Sequence, residues 1–459
     1  MQLRFLAFGV IIFLLAFVTP ALAQHAPPGE VLLMHDLATN VSADRLQADV
    51  QKLVDFGTRH TLSDTKSKTQ GIGAARTWIY DELTKISADC GNCLEVMYIT
   101  DTISGERRIP DPVEVVSVIA IQRGTLDPNR YVMMSGDIDS RVTDSMDFTS
   151  ASPGANDNAS GMAGVIEAAR VLSKHQFAGS IIYAGLAGEE QGLFGGKILA
   201  AHALKNNWRI KAVLNNDMIG NITGIDGITD NTSARVFSEG TRDNETKEEA
   251  RIRRFTGGEV DSPSRNLARY IDVRADKYIP ALDIMMIYRL DRFGRGGHHR
   301  PFNEVGIPAV RIMETHEHYD RQHQNLRNEN GREFGDVISG VDFDYARKLT
   351  ALNVVSLAEM AGAPPFPAQV KASGAVLASA DLKWQIAEGK AAKNLAGYIV
   401  YWRETDQPKW QYSRFVGKVD NYEFTNLVID NYFFGVASVA NDGSQSPVVF
   451  PGAAGSFGE

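Results

Sequence analysis

The chain has 459 residues, 44% hydrophobic and 22% charged, with a formal net charge of -9. This is the composition of a folded globular protein. Without a long basic run it argues against a nucleic-acid partner, because phosphate binding needs clustered Lys and Arg.

At the amino end, Arg4, an apolar run over 5–18 and Ala21-Leu22-Ala23 read as a signal peptide, residues 1–23. The run falls short of the roughly 20 residues of a spanning helix. The expectation is therefore a secreted or periplasmic protein that is free of the membrane after cleavage. The rest of the chain is too long for one ordinary domain. Its only cysteines, Cys90 and Cys93, form a CxxC pair with no second pair to complete a four-thiolate zinc site. In an exported chain the expectation is a local disulfide.

Residues 44–87 read as helical, with Leu46, Val50, Leu53 and Val54 on one face and a second amphipathic run over 72–86. Strands are expected at 131–134, 180–184, 212–214, 284–288 and 309–312, and helices at 159–172, 193–204 and 345–361. Such alternation predicts an α/β domain over 24–362, with a mostly parallel central sheet flanked by helices. Within it, 221–270 is rich in Gly, Asn and charge and reads as an exposed insertion. Ala363-Pro364-Pro365-Phe366-Pro367 is a stiff linker. Residues 368–459 show short period-two strands and predict a small all-β sandwich. Tyr432, five residues after Leu427 and at a strand start, sits where a fibronectin type III module, which this part resembles, has its tyrosine corner.

Four acidic segments follow apolar strands: Gly136-Asp137-Ile138-Asp139-Ser140, the run from Pro153 through Asp157 to Gly161, Gly188-Glu189-Glu190-Gln191-Gly192, and Asn216-Asp217. In parallel sheets these positions share the carboxyl edge, where functional residues gather. So many carboxylates at one edge repel unless cations neutralise them.

Between Gly57 and Ala361 the chain resembles the di-zinc exopeptidases that include secreted bacterial aminopeptidases and glutamate carboxypeptidases. The resemblance rests on PGANDNASG together with GEEQG. It implies that Asp157 bridges two metals through a cis peptide to Asn158, that Asp217 completes the first metal's ligands and that Glu190 binds the second. Glu189 would be the general base, and Asp139 would support a ligand from behind. A histidine after the last strand should bind the second metal; of His316, His318 and His323, the last is placed first and His318 next. Gly297-His298-His299-Arg300-Pro301-Phe302 resembles the family's Ser-Asp-His-x-Pro-Phe, putting His299 near the substrate pocket and His298 in place of an acid.

The chain departs from the family where His-x-Asp becomes Asp137-Ile138-Asp139. With Asp137 as a ligand, the first metal has carboxylate ligands only. Such a set shifts preference from zinc toward manganese or magnesium at that position. The resulting expectation is a peptidase acting near a chain end on peptide substrates, with aminopeptidase favoured over carboxypeptidase. The alternatives are a cyclase-like acyl transferase with one zinc, and a binding or adhesion relative with weakened catalysis. Arg289, Arg292, Arg295 and Arg300 could serve a substrate carboxylate, but the expectation for most of them is solvation or pairing with acids such as Asp291.

Overall fold

The computed structural model describes residues 25–458, so the expected signal segment lies outside the described residues. At its centre is a sheet of eight strands: β1 (Leu94–Ile103), β2 (Val113–Gln122), β3 (Asp127–Asp137), β4 (Gly179–Leu186), β5 (Arg209–Asn216), β6 (Ser233–Phe237), β7 (Asp283–Ile287) and β8 (Ala309–Glu314). They lie in the order β1-β2-β4-β3-β5-β8-β6-β7. The inner strands β4, β3, β5 and β8 are parallel. β1 and β2 pair antiparallel at one edge, and β6 joins β8 antiparallel at the other.

A strand covered on both faces reads as a continuous apolar run, and β4, Gly-Ser-Ile-Ile-Tyr-Ala-Gly-Leu, is buried at every position. The helices are α1 (Leu32–Thr39), α2 (Ala43–Val54), α3 (Gly71–Asp89), α4 (Gly161–Leu172), the single turn α5 (Glu189–Gly192), α6 (Phe194–Lys205), α7 (Lys247–Thr256), α8 (Pro263–Tyr278), α9 (His299–Glu304) and α10 (Phe343–Gly362). One face of the sheet packs in a core with α1–α4, α8 and α10, through residues such as Leu53, Ile79, Val165, Leu267 and Leu352. The other is covered by α6 and α9, through Leu199 and Phe302. No helix among the described residues is long and apolar enough to cross a membrane.

Two departures from expectation have physical reasons. β1 and β2 are additional strands. β1 is an edge strand with many exposed positions, so its pattern is weak, while the β-branched run of β2 was a readable signal. The 221–270 segment is no simple insertion, because β6 within it pairs with β8 and β7. Its exposed part is α7, which buries no residue and starts at a Thr246–Glu249 capping box. Cys90 and Cys93 are joined in a disulfide, as expected.

Beyond α10, six short strands form two antiparallel sheets. The first contains β11 (Ala368–Ser373), β12 (Ala380–Gln385) and β15 (Asn421–Phe424); the second contains β13 (Leu395–Glu404), β14 (Tyr412–Gly417) and β16 (Tyr432–Ala440). Trp384, Tyr398, Val400, Phe424 and Val436 fill the space between them. This all-β region is tied to the α/β body. Asp261, fully buried, accepts 2.9 and 2.8 Å bonds from Arg403 of β13 and a 2.8 Å bond from Arg269 of α8. Asp261→Asn leaves two buried guanidiniums without their counter-charge and is expected to cost roughly 3–5 kcal/mol. Urea denaturation reads this directly, and an unchanged midpoint would remove Asp261 from the structural core.

Candidate metal centre

The four parallel strands deliver their exit loops to one edge. β3 ends at Asp137, with Asp139 two residues on. β4 passes through Gly188, at φ +74°, into the turn carrying Glu189 and Glu190. β5 leads into Asp217, and β8 leads into the loop of His323. Asp157 lies in the turn before α4, and the peptides Asp157–Asn158 and Asp217–Met218 are both cis, the first as expected. Gly161 lets that turn approach β5, since a Cβ there would collide with the Asn216 carbonyl.

Ligand atoms of Asp157, Glu190 and His323 all lie within 4.8 Å of one another. His323 Nε2 is 2.9 Å from Asp157 Oδ2 and 2.9 Å from Glu190 Oε1. Two carboxylates and one imidazole suit a zinc-type ion and leave a position for water or substrate. Burial disfavours a charge on His323, but Glu190 and Asp157 outweigh it and raise the imidazole to about 9. His316 sits apart, 2.9 Å from Asp226, and His318 does not join the group.

The frame around Asp157, Glu190 and His323 is built from long-range contacts. Asp139 accepts from the main-chain N–H groups of Glu189 and Glu190, at 3.1 and 3.0 Å, and from Thr61. It thus fixes the glutamate turn rather than touching a ligand side chain. Arg141 holds Glu190 Oε2 at 2.7 Å and lies 2.6 Å from His323 Nδ1. Asp336 accepts from the N–H groups of Asn156 and Asp157, and Gln322 donates to Asp157 Oδ2 at 3.1 Å. Arg59, fully buried, donates to the carbonyls of Leu53, Ile138, Pro153 and Gly154. Arg59, Arg141, Gln322 and Asp336 are additions to the expected set.

Asp137 and Asp217 are placed beside this group, each with an internal partner. Asp137 Oδ1 is 2.5 Å from His298 Nδ1, and Asn158 donates to Oδ2 at 2.7 Å. Burial and the neighbouring Asp157 and Glu190 push Asp137 up to about 8, against Asn158 and Arg311, while burial holds His298 down to about 4. With one oxygen on His298 and the other on Asn158, Asp137 offers a cation less than a free carboxylate. The two departures noted in the sequence, Asp137 and His298, are therefore one contact. Asp217 Oδ2 lies 2.8 Å from Arg311, a buried guanidinium that also donates to the Asp217 carbonyl at 2.6 Å and reaches Asp291. Asp217 Oδ1 is buried without a partner. The sequence did carry a cue to Arg311, a charge inside an otherwise apolar strand.

A cavity of about 250 Å³ opens over the centre, lined by Asp157, Glu189, Glu190, Asp217 and His323 together with Arg108, Arg141, Arg292, Arg295 and Arg300. Glu189 stands in it outside the ligand group. Its carboxyl is raised well above the usual range by burial and by Glu190, Asp217 and Asp137. His299 is not in the lining. It is fully buried, with Nε2 2.8 Å from the Leu290 carbonyl, and it steadies that loop from behind.

An oxygen-and-nitrogen ligand set with a free carboxylate alongside is the equipment of a metal-dependent hydrolase. Comparison with known proteins agrees. Residues 117–341 match the model of peptidase family M28. A probable zinc metalloprotease of Leptosphaeria maculans is 41% identical over 94% of this chain and 98% of its own length. Another, from Pyrenophora teres f. teres, is 40% identical over 93% of this chain and 87% of its own. In fold the chain is similar to LapA of Legionella pneumophila, with a TM-score of 0.54 and 19% identity over 72% of this chain and 76% of LapA. LapB of the same organism gives 0.51, with 17% identity over 74% and 78%. The chain belongs to peptidase family M28 and is a metallopeptidase.

Proposed function

We propose that the protein is an exported exopeptidase that holds its zinc ion at Asp157, Glu190 and His323 and uses Glu189 as the proton carrier. The convergence of those three ligand atoms within 4.8 Å carries the reading. When bound, the ion supplies Lewis acidity toward the scissile carbonyl and the attacking water. Glu189 takes the proton of that water and passes it to the leaving amine. Asp139 holds the Glu189–Glu190 turn by its N–H groups, so the proton carrier and the ligand move as one unit.

The second ion of the family pattern would fall to Asp137, Asp157 and Asp217. There it competes with His298 and Arg311 for the same carboxylates. We therefore place the tight ion at His323 and a weaker one at Asp137, where oxygen-only ligation suits manganese or magnesium. At about 250 Å³ the cavity falls below the roughly 300–1,000 Å³ of typical ligand clefts and suits a chain end. Removal from the amino end needs an acid for the α-ammonium, and Asp217, whose Oδ1 has no partner, lines the cavity for it. Export rests on the signal-like segment 1–23 and is supported by the Cys90–Cys93 disulfide. The fibronectin type III reading of the C-terminal region rests on its two packed antiparallel sheets and on Tyr432 at the start of β16.

Mass analysis of products tests the central reading and separates it from cyclase-like transfer, which the same three ligands could serve. Incubation with short peptides should add one water per bond cut, chelation should stop the reaction, and zinc should restore it. Loss of ammonia from a peptide with amino-terminal Gln, without hydrolysis of any peptide, would favour the cyclase.

A further inference from the structure

The positive charge around the cavity names a substrate class for the site and rests on the peptidase reading above. Of the five guanidiniums in the lining, Arg141 is committed to Glu190. Arg292 and Arg295 both lean on Glu317 at 3.2 Å, and Arg235 takes a third share of the same carboxylate at 3.1 Å. Asp291 is divided likewise between Arg292 and Arg311. Glu317 and Asp291 are thus shared among four guanidiniums, Arg235, Arg292, Arg295 and Arg311, so each cation on this wall has only part of a counter-charge.

Two of the arginines also keep unused donors. Arg108 donates to the main-chain carbonyl of Glu190, and its Nε is buried without a partner. Arg300 pairs with Glu304 at 3.3 Å, with both side chains more than a third exposed, so solvent screens that pair. Its Nε is likewise buried without a partner. A buried N–H lacking an acceptor is unfavourable until one arrives. The planar guanidinium fork fits a carboxylate better than it fits a neutral amide.

We propose that the cavity selects peptides bearing a free carboxylate within one or two residues of the scissile bond, received by Arg300 and Arg108 with Arg295 reinforcing them. Two sources carry that chemistry: the side chain of an acidic residue, or the terminal carboxylate of a dipeptide. Amidated neutral peptides leave the same donors unpaired and are disfavoured.

The test compares kcat/KM of the zinc-loaded protein on two pairs, Ala-Ala against Ala-Ala-amide and Glu-Ala-amide against Gln-Ala-amide. The carboxylate member of at least one pair should be better by about 10–100-fold, the range of a charged hydrogen bond, and the pair that responds identifies the source. The ratio should collapse toward one in Arg300→Met and be partly kept in Arg300→Lys. It should also shrink as salt is raised. Hydrolysis of all four substrates within twofold overturns this proposal and leaves the peptidase reading standing, as does a ratio unchanged in both Arg300→Met and Arg108→Met. No hydrolysis of any of the four overturns the peptidase reading itself, and this proposal with it.

Discussion

Glu189→Gln is expected to lower kcat by about 10²–10⁴-fold, the usual contribution of a positioned acid–base group, while the zinc content stays that of the wild type. The amide keeps the shape of the side chain but cannot take a proton. Glu189 lines the cavity, yet it is not one of the three converging ligand atoms. Its main chain is fixed by Asp139, so the substitution removes chemistry and leaves the turn in place. Steady-state kinetics together with metal analysis separate the two roles. Wild-type turnover would take Glu189 out of the proton path, and loss of zinc would make it a ligand instead.

Arg59→Met is expected to act on stability rather than chemistry. The guanidinium sits fully buried at the junction of α2, the exit of β3 and the turn before Asp157. It donates to Leu53 at 3.1 Å, Ile138 at 2.9 Å, Pro153 at 2.6 Å and Gly154 at 2.9 Å. Methionine fills the volume but withdraws a donor from four carbonyls, of which Gly154 keeps the Ala159 N–H at 3.0 Å and Leu53 the Phe56 N–H at 3.4 Å. An unsatisfied buried group costs about 1–3 kcal/mol, and water entering the site would recover part of it. The expected loss is roughly 3–5 kcal/mol, a large share of the 5–15 kcal/mol typical of a whole domain. Denaturant titration measures it, and a loss below about 1 kcal/mol would mean that other donors satisfy the turn.

The site was legible in the sequence where its residues announce themselves locally. A carboxylate at a glycine-flanked strand exit is visible in a window of a few residues. Glu189, Glu190 and Asp217 are of that kind, and the parallel order of β4, β3, β5 and β8 brings them to one edge. Asp157 differs from expectation, standing in a glycine-flanked turn before α4, well past the end of β3. His323 has no periodic cue; only its place after the last strand points to it. The partners that set each charge were not legible. His298 meets Asp137 across 161 residues, and Arg311 meets the Asp217 carbonyl across 94. Such pairings depend on the finished sheet, and no local pattern encodes them. The same reason hid Asp336, which meets the Asp157 amide from 179 residues away. β6 escaped because a five-residue strand between Gly- and Asn-rich loops leaves almost no period to read. His299 shows the converse: its motif pointed to the pocket, and packing put it behind the wall.

Zinc content after exhaustive dialysis tests the centre most directly, compared among wild type, His323→Ala and Asp137→Ala. Wild type and Asp137→Ala should each retain about one zinc per chain, and His323→Ala should retain none while still folding. Retention of zinc by His323→Ala, with its loss from Asp137→Ala, would place the tight ion on the Asp137–Asp217 side and contradict the ligand set of Asp157, Glu190 and His323.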